Sequence, residues 1–307
     1  MKCSLCGGEN PKTFLVKRGI PILRCTACGL MFVDAPREIK EIANLYAEDY
    51  FSNYNRLGYG YENYMGHRHL YFDLFTRRIE ELEKHRKGGR LLDVGCATGV
   101  FMDVARFRGW EVHGVDVSPF ASGVARNYYN LDVFTGVLEE SGFPAGWFDV
   151  VFMHDVIEHV PDPPSLLTEA RRVLTDDGLL VINTPNAAGL LARTLGKRWF
   201  HYKPQEHLFY FTPATLTAML DKAGFRTIRT DATGRVINME YLIGRLSSDA
   251  PALAKILGFL FRGRPFSKST FTFWTGEFQA FAEKKNGSEE RAHRDNAPKP
   301  PGGRQSP

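Results

Sequence analysis

The chain has 307 residues, 43% of them hydrophobic and 24% charged, which suits a globular protein with one large domain and a small additional unit. A net charge of +4 is too weak to argue for nucleic-acid binding, and no stretch approaches the roughly 20 apolar residues that a membrane span needs. The opening MKCSLCGGEN lacks the apolar core of a signal peptide, so a cytoplasmic protein is expected.

Residues 1–34 carry two cysteine pairs, CSLC and CTAC, at Cys3/Cys6 and Cys25/Cys28. Two thiolates separated by two residues wrap one side of a tetrahedral ion, and a second pair returned by a hairpin closes the sphere. Gly7 and Gly29 each follow the second cysteine of a pair, where a tight turn aims backbone N–H groups at sulfur. The unit is predicted to be a zinc ribbon, with zinc in a structural role because four protein ligands leave no open position. A unit of about 30 residues buries too little core to fold alone, so the ion would supply much of its folding free energy.

Residues 35–87 read as a helical linker or cap. Ile39, Ile42 and Leu45 recur near helical spacing, as do Phe72, Phe75, Ile79 and Leu82, until Gly88-Gly89 stops the pattern. From 88 to 284 strands and helices alternate. Strands are expected at 90–94, 111–115, 131–135, 148–153, 178–183 and 225–231, with a late strand at 271–284. Helices are expected at 100–108, 119–128, 163–174 and 214–222. Ser118-Pro119, Asp162-Pro163 and Thr212-Pro213 each place an N-capping side chain before a proline at the first helical position. This alternation predicts an α/β, Rossmann-like, mostly parallel sheet covered by helices on both faces. Residues 236–268 read as a helical insertion. Residues 285–307, rich in Pro, Gly and charge, read as a disordered tail.

The stretch LLDVGCATG…GVDVSP has the grammar of a nucleotide-binding βαβ unit. The middle glycine of G-x-G-x-x-G is replaced by alanine, and an acid, Asp93, ends the first strand. An acid there repels a pyrophosphate but favours a cationic ligand such as S-adenosylmethionine (SAM). Asp116, at the tip of the second strand, suits ribose hydroxyls. Taken together, DVGCATG, GVDVSP, FDVVFMHDVIEHVPDP and LTDDGLLVINTPN resemble the successive motifs of class I SAM-dependent methyltransferases, over roughly residues 90–235 and in the ubiquinone-biosynthesis-like O-methyltransferase branch. The resemblance implies a seven-stranded sheet with the late strand antiparallel. It implies that Asp93, Gly95 and Gly99 line the methionine end of SAM, Asp116 holds the ribose, and Val117 and Leu138 flank the adenine. Cys96 belongs to the same loop as a small filler.

Strand four leads into His154-Asp155-Val156-Ile157-Glu158-His159, which must face the cofactor or the acceptor because ligands of open α/β sheets sit at the carboxyl ends of the strands. Transfer to a hydroxyl needs a base with a pKa near neutrality. His159, with Glu158 beside it, and His207 in PQEHLFYF are the candidates. Asp155, Glu158 and His159 also match a D/E-x-x-E-H pattern that binds a divalent cation such as Mg2+ in some ubiquinone-pathway relatives. The aromatic stretch 199–211 could wall an acceptor pocket, and Tyr54, Tyr59, Tyr61 and Tyr64 could close it from the other side. The expected function is methyl transfer from SAM to a small-molecule acceptor, a hydroxyl of a sugar, glycolipid precursor or secondary metabolite. One alternative is an RNA methyltransferase whose zinc unit grips RNA. Another is a non-catalytic zinc-dependent interaction module. Nothing in the pattern fixes an oligomeric state.

Overall fold

A computed structural model describes residues 2–34, 38–52, 66, 68–249, 251–261 and 269–285. Tyr54, Tyr59, Tyr61 and Tyr64, and all but the first residue of the expected tail, lie outside the described residues.

Seven strands form the main sheet: β4 (Arg90–Val94), β5 (Glu111–Asp116), β6 (Asp132–Thr135), β7 (Phe148–His154), β8 (Leu174–Pro185), β10 (Phe225–Ile237) and β11 (Phe271–Lys284). Their order is β10-β11-β8-β7-β4-β5-β6, with β11 antiparallel to both neighbours and the other pairings parallel. All seven predicted strands are present. The sixth is longer than its expected 225–231 because it pairs along the whole of β11, as far as Ile237 opposite Phe271.

The central strands read as continuous apolar runs because both faces are covered. Along β7, Val151 and Met153 enter one buried cluster, while Val150 and Phe152 enter the cluster on the opposite face. Residues of α3 (Arg68–Leu82) and α4 (Val100–Phe107) pack into the second cluster. Each fully buried phenylalanine contributes about 1.5–3 kcal/mol. Phe148 and Phe152 are two such side chains. The expected face of α3 is rotated: Phe72 is exposed, and Leu70, Leu74 and Arg78 join Phe75, Ile79 and Leu82 inside. Arg78 is tolerated there because its guanidinium donates to the Gly234 carbonyl at 3.0 Å. The first helical stretch is split into α1 (Ile39–Leu45) and α2 (Glu48–Ser52).

The three predicted N-caps form. Ser118 caps α5 (Pro119–Tyr129), Asp162 caps α6 (Pro163–Val173), and Thr212 with Thr215 builds a capping box on α8 (Pro213–Lys222). The expected insertion contains α9 (Met239–Asp249) and α10 (Pro251–Phe261). No described helix is long and apolar enough to cross a membrane.

A second sheet has four strands in the order β1-β2-β3-β9, namely β1 (Lys12–Lys17), β2 (Ile20–Arg24), β3 (Met31–Val33) and β9 (Phe209–Tyr210). Its last strand comes from the segment following the short helix α7 (Leu190–Leu195). The cysteine-bearing unit therefore shares both a sheet and a buried cluster with the large domain: Ile22, Leu30 and Phe32 pack in the same cluster as Trp199, Phe209 and Phe211.

Candidate active site

The loop after β4 is shaped by backbone that only small residues accept. Gly95 has φ +72° and Ala97 φ +47°. A side chain at Gly95 would meet Val156 Cγ2 at 2.4 Å, so glycine lets this loop lie against the segment after β7. Gly95 and Cys96 both donate their amides to the Val115 carbonyl, tying the loop to the end of β5. Cys96 is buried and packs against Gly114, which fits the filler role.

Asp93 and Asp116 are 3% and 9% exposed and face one cavity of about 1080 Å³. Burial raises the Asp93 carboxyl well above its ordinary value, and Asp116 nearby raises it further. Asp116 is pushed up to about 6 by burial, while amides of Ser118 and Ala97, each 2.8 Å from a carboxylate oxygen, pull the other way. No ion pair joins either acid to a cation among the described residues. Two buried acids without a cation repel a pyrophosphate and suit a ligand that brings positive charge.

The same cavity is lined by Gly95, Cys96, Val117, Leu138, His154, Asp155, Glu158, His159 and His207. Gly99 does not line it. Its φ of +86° turns the loop into α4, and an added Cβ would lie 2.6 Å from Leu131 Cδ1, so its place is structural. His154 stacks on Phe152 and meets the edge of Phe75.

His159 and His207 come together with their rings edge to face at 4.7 Å. His159 Nδ1 lies 2.9 Å from the Glu206 carbonyl and 2.9 Å from Tyr46 Oη. A carbonyl only accepts, so Nδ1 carries the proton and Nε2 keeps its lone pair. Burial lowers the pKa of both imidazoles, and in His207 the neighbouring His159 and His201 lower it further. Glu158 is 1% exposed; burial, then Asp155, raises its carboxyl well above the usual range. Its Oε2 accepts from Thr184 Oγ1 at 2.8 Å, and Oε1 stands 3.8 Å from His159 Nε2.

Asp155 does not join this group in the way the D-x-x-E-H string suggests. Its Oδ2 is 2.6 Å from Arg235 Nη2, and Asn183 Nδ2 donates to its Oδ1 at 3.3 Å. An acid already neutralised by arginine is a poor cation ligand, which corrects the Asp155-Glu158-His159 grouping. The side chains whose ligand atoms converge within 4.8 Å are Glu158, His159 and His207.

The aromatic stretch divides between two roles. Trp199, Tyr210 and Phe211 are buried in the core, whereas Phe200, His201, Tyr202 and His207 line the cavity. Tyr46, Lys203, Glu206 and Arg235 also line it and were not singled out from the sequence. For Glu206 a signal existed, since it precedes His207 in the same QEH string.

In the N-terminal unit the four thiol sulfurs lie within 4.8 Å of one another. Cys3 and Cys28 sulfurs are 3.6 Å apart, and those of Cys6 and Cys25 are 3.5 Å apart. A disulfide needs about 2.05 Å, whereas sulfurs around one tetrahedral zinc at about 2.3 Å stand roughly 3.8 Å apart. The cluster is compatible with a zinc ribbon. The two cysteine turns are alike: Gly7 donates to Cys3 O and Gly29 to Cys25 O, with φ of +74° and +79°.

The strand order, the glycine loop between two buried acids and the cavity at the strands' carboxyl ends define the fold of a class I methyltransferase. The methyltransferase domain family matches residues 65–230, more than half of the chain, and the chain belongs to that family. Among curated proteins it is 31% identical over 163 residues to a ubiquinone biosynthesis O-methyltransferase of Cereibacter sphaeroides, covering 50% of this chain and 65% of that protein. It is 30% identical over 178 residues to the protein of the same description from Xanthomonas axonopodis pv. citri, covering 52% and 72%. The chain thus spans just under two thirds of the first of these relatives. Among solved structures, the YcgJ protein of Bacillus subtilis superposes with a TM-score of 0.50 at 18% identity, covering 70% of this chain and all of that one, which speaks for the fold.

Proposed function

We propose that this chain transfers the methyl group of SAM to a hydroxyl of a small-molecule acceptor, of the sugar, glycolipid-precursor or secondary-metabolite class, on a domain braced by a structural zinc ribbon. The observation that carries this reading is the single cavity joining two cation-free buried acids to a neutral histidine pair. When bound, SAM supplies a methyl group on a sulfonium already activated for in-line displacement.

The chain's own part is binding, orientation and proton transfer. Asp93 offers negative charge to the methionine end of the ligand. Asp116, fixed by two amides, presents its carboxylate to the ribose hydroxyls. Val117 and Leu138 supply the apolar flank for the base. His159 Nε2, with its lone pair kept by the Nδ1 contact to Glu206, accepts the proton of the acceptor hydroxyl. Glu158 Oε1 stands 3.8 Å from that nitrogen, and His207 packs the acceptor against it. Cys3, Cys6, Cys25 and Cys28 would hold the zinc, whose chemistry is to cross-link the two turns.

The test is a screen of the purified protein with radiolabelled SAM against sugar nucleotides, lipid extracts and RNA, preceded by calorimetry with SAM. SAM binding with label transferred to a small acceptor is the expected result. Absence of SAM binding refutes the reading, and label appearing only in RNA replaces it by the nucleic-acid alternative.

A further inference from the structure

Acids and cations line the cavity from different elements. Asp93, Asp116, Glu139 and Glu140 line the end formed by β4, β5 and the turn after β6. Besides Arg235, which is paired with Asp155 and Glu277, the cations of the lining are Lys17 and Arg18 from the β1–β2 turn and Arg198 and Lys203 from the segment leading to β9. These two elements are brought together by the fold. The Phe14 ring on β1 lies 5.6 Å from that of Tyr202, and β3 pairs with β9 through Phe32 and Phe209. Lys203 is one turn from the chemistry, since the His207 amide donates to its carbonyl at 2.8 Å.

Most acids on this side are already engaged, and Glu158 is buried and accepts from Thr184. Asp155 pairs with Arg235, Asp162 caps α6, and Glu206 accepts from Tyr50 Oη while lying 3.6 Å from Lys203. No ion pair joins Arg18 or Arg198 to a carboxylate among the described residues. Arg18 and Gly19 occupy the two central positions of a hairpin turn with φ +51° and +78°. That turn prefers asparagine, aspartate or glycine first, so arginine is a poor choice for the backbone. What it adds is an exposed guanidinium at the cavity mouth.

We infer that the acceptor carries a phosphoryl group, held at this mouth by Arg18 and Arg198 while the atom to be methylated reaches inward to His159 and His207. Guanidinium groups hold phosphate oxygens bidentately, and two arginines that no carboxylate among the described residues neutralises suit an anion carrying more than one charge. This inference rests on the methyltransferase reading and narrows its acceptor class. The two histidine side chains are nearly buried, which favours a small phosphorylated molecule over a polymer.

The experiment uses full-length, zinc-loaded protein saturated with S-adenosylhomocysteine and titrated calorimetrically with inorganic pyrophosphate at low salt. Saturable binding is expected, weakened at least about tenfold in the Arg18→Asn/Arg198→Gln double variant. Asparagine suits the turn, so the variant folds, and unchanged S-adenosylhomocysteine affinity verifies this. No saturable pyrophosphate binding, or equal affinity in the variant, overturns the inference while leaving the methyltransferase reading intact. Loss of S-adenosylhomocysteine binding by the unaltered protein refutes that reading instead. Citrate binding as tightly as pyrophosphate overturns the phosphoryl assignment. A short single-stranded RNA binding far more tightly than pyrophosphate, through the same arginines, replaces the small acceptor by RNA.

Discussion

Asp116 is buried, and its carboxyl is pushed up from 3.8 to about 6, so the folded protein binds a proton there more tightly than the unfolded chain does. Stability from this group is complete below pH 3.8 and is lost as pH rises through about 6. A cationic ligand reverses the balance by favouring the ionised acids. SAM affinity is therefore expected to rise with pH across that window, with proton release, measurable by calorimetry in buffers of different ionisation heat. Asp93→Asn is expected to weaken SAM binding by about tenfold and to reduce the proton release. The histidines carry the opposite sign. Burial lowers their pKa, so the unfolded chain binds more protons below its ordinary 6.5, and the stability they contribute is present above 6.5 and lost as pH falls toward the folded values. Since the neutral imidazole is the working form, kcat should hold its plateau to below pH 6.5 before it falls. His159→Gln should lower kcat by about 10²–10⁴-fold and abolish that acidic limb, with SAM affinity unchanged. A pH–rate profile of both proteins decides this, and a limb that survives in the variant removes His159 as the base.

At the scale of elements, the two loop glycines act differently although the motif writes them alike. Gly99→Ala puts a Cβ 2.6 Å from Leu131 and 3.1 Å from Ala125 at φ +86°. Left-handed strain and overpacking together cost about 2–4 kcal/mol. The melting temperature should drop while the folded fraction still binds SAM, because this residue lies outside the cavity lining. Gly95→Ala meets Val156 at 2.4 Å and so displaces the segment bearing Glu158 and His159. It should lower kcat and SAM affinity together. Thermal melts and calorimetry on the two variants separate these outcomes. What the sequence disclosed follows the same division by scale. Strands buried on both faces and helices opened by Ser118, Asp162 and Thr212 are local patterns, and each was legible. So were Asp93 and Asp116, which end apolar runs. The partners that set their chemistry are not local. Tyr46 reaches His159 across 113 positions and Arg235 reaches Asp155 across 80, so no string could reveal that Asp155 is already neutralised. Strand β9 is two residues long and carries no period. It exists because β3 offers it an edge.

For the molecule as a whole, that short strand links the cysteine cluster to the proposed proton acceptor. Val33 of β3 donates to the Leu208 carbonyl at 2.8 Å, and the amides of Leu208 and Phe209 donate to the Glu158 carbonyl at 2.7 and 3.0 Å. The backbone between the base and the ribbon is thus one hydrogen-bonded path, and its inner end also carries His207. A ribbon of this size would depend on the proposed zinc for order. Stripping the proposed zinc, or replacing Cys25 by serine, should release β3 from β9 and loosen the 199–211 segment. Asp93 and Asp116 stand on β4 and β5, which the ribbon does not touch through this path. SAM affinity should therefore stay within about threefold, a change under 1 kcal/mol, while kcat falls at least about tenfold. Hydrogen exchange localises the effect: amides of 199–211 should exchange faster in the stripped protein, and those of β4 and β5 should not. If 199–211 stays protected and kcat is retained after the metal is gone, the ribbon is an independent module and its pairing with β9 carries no catalytic consequence.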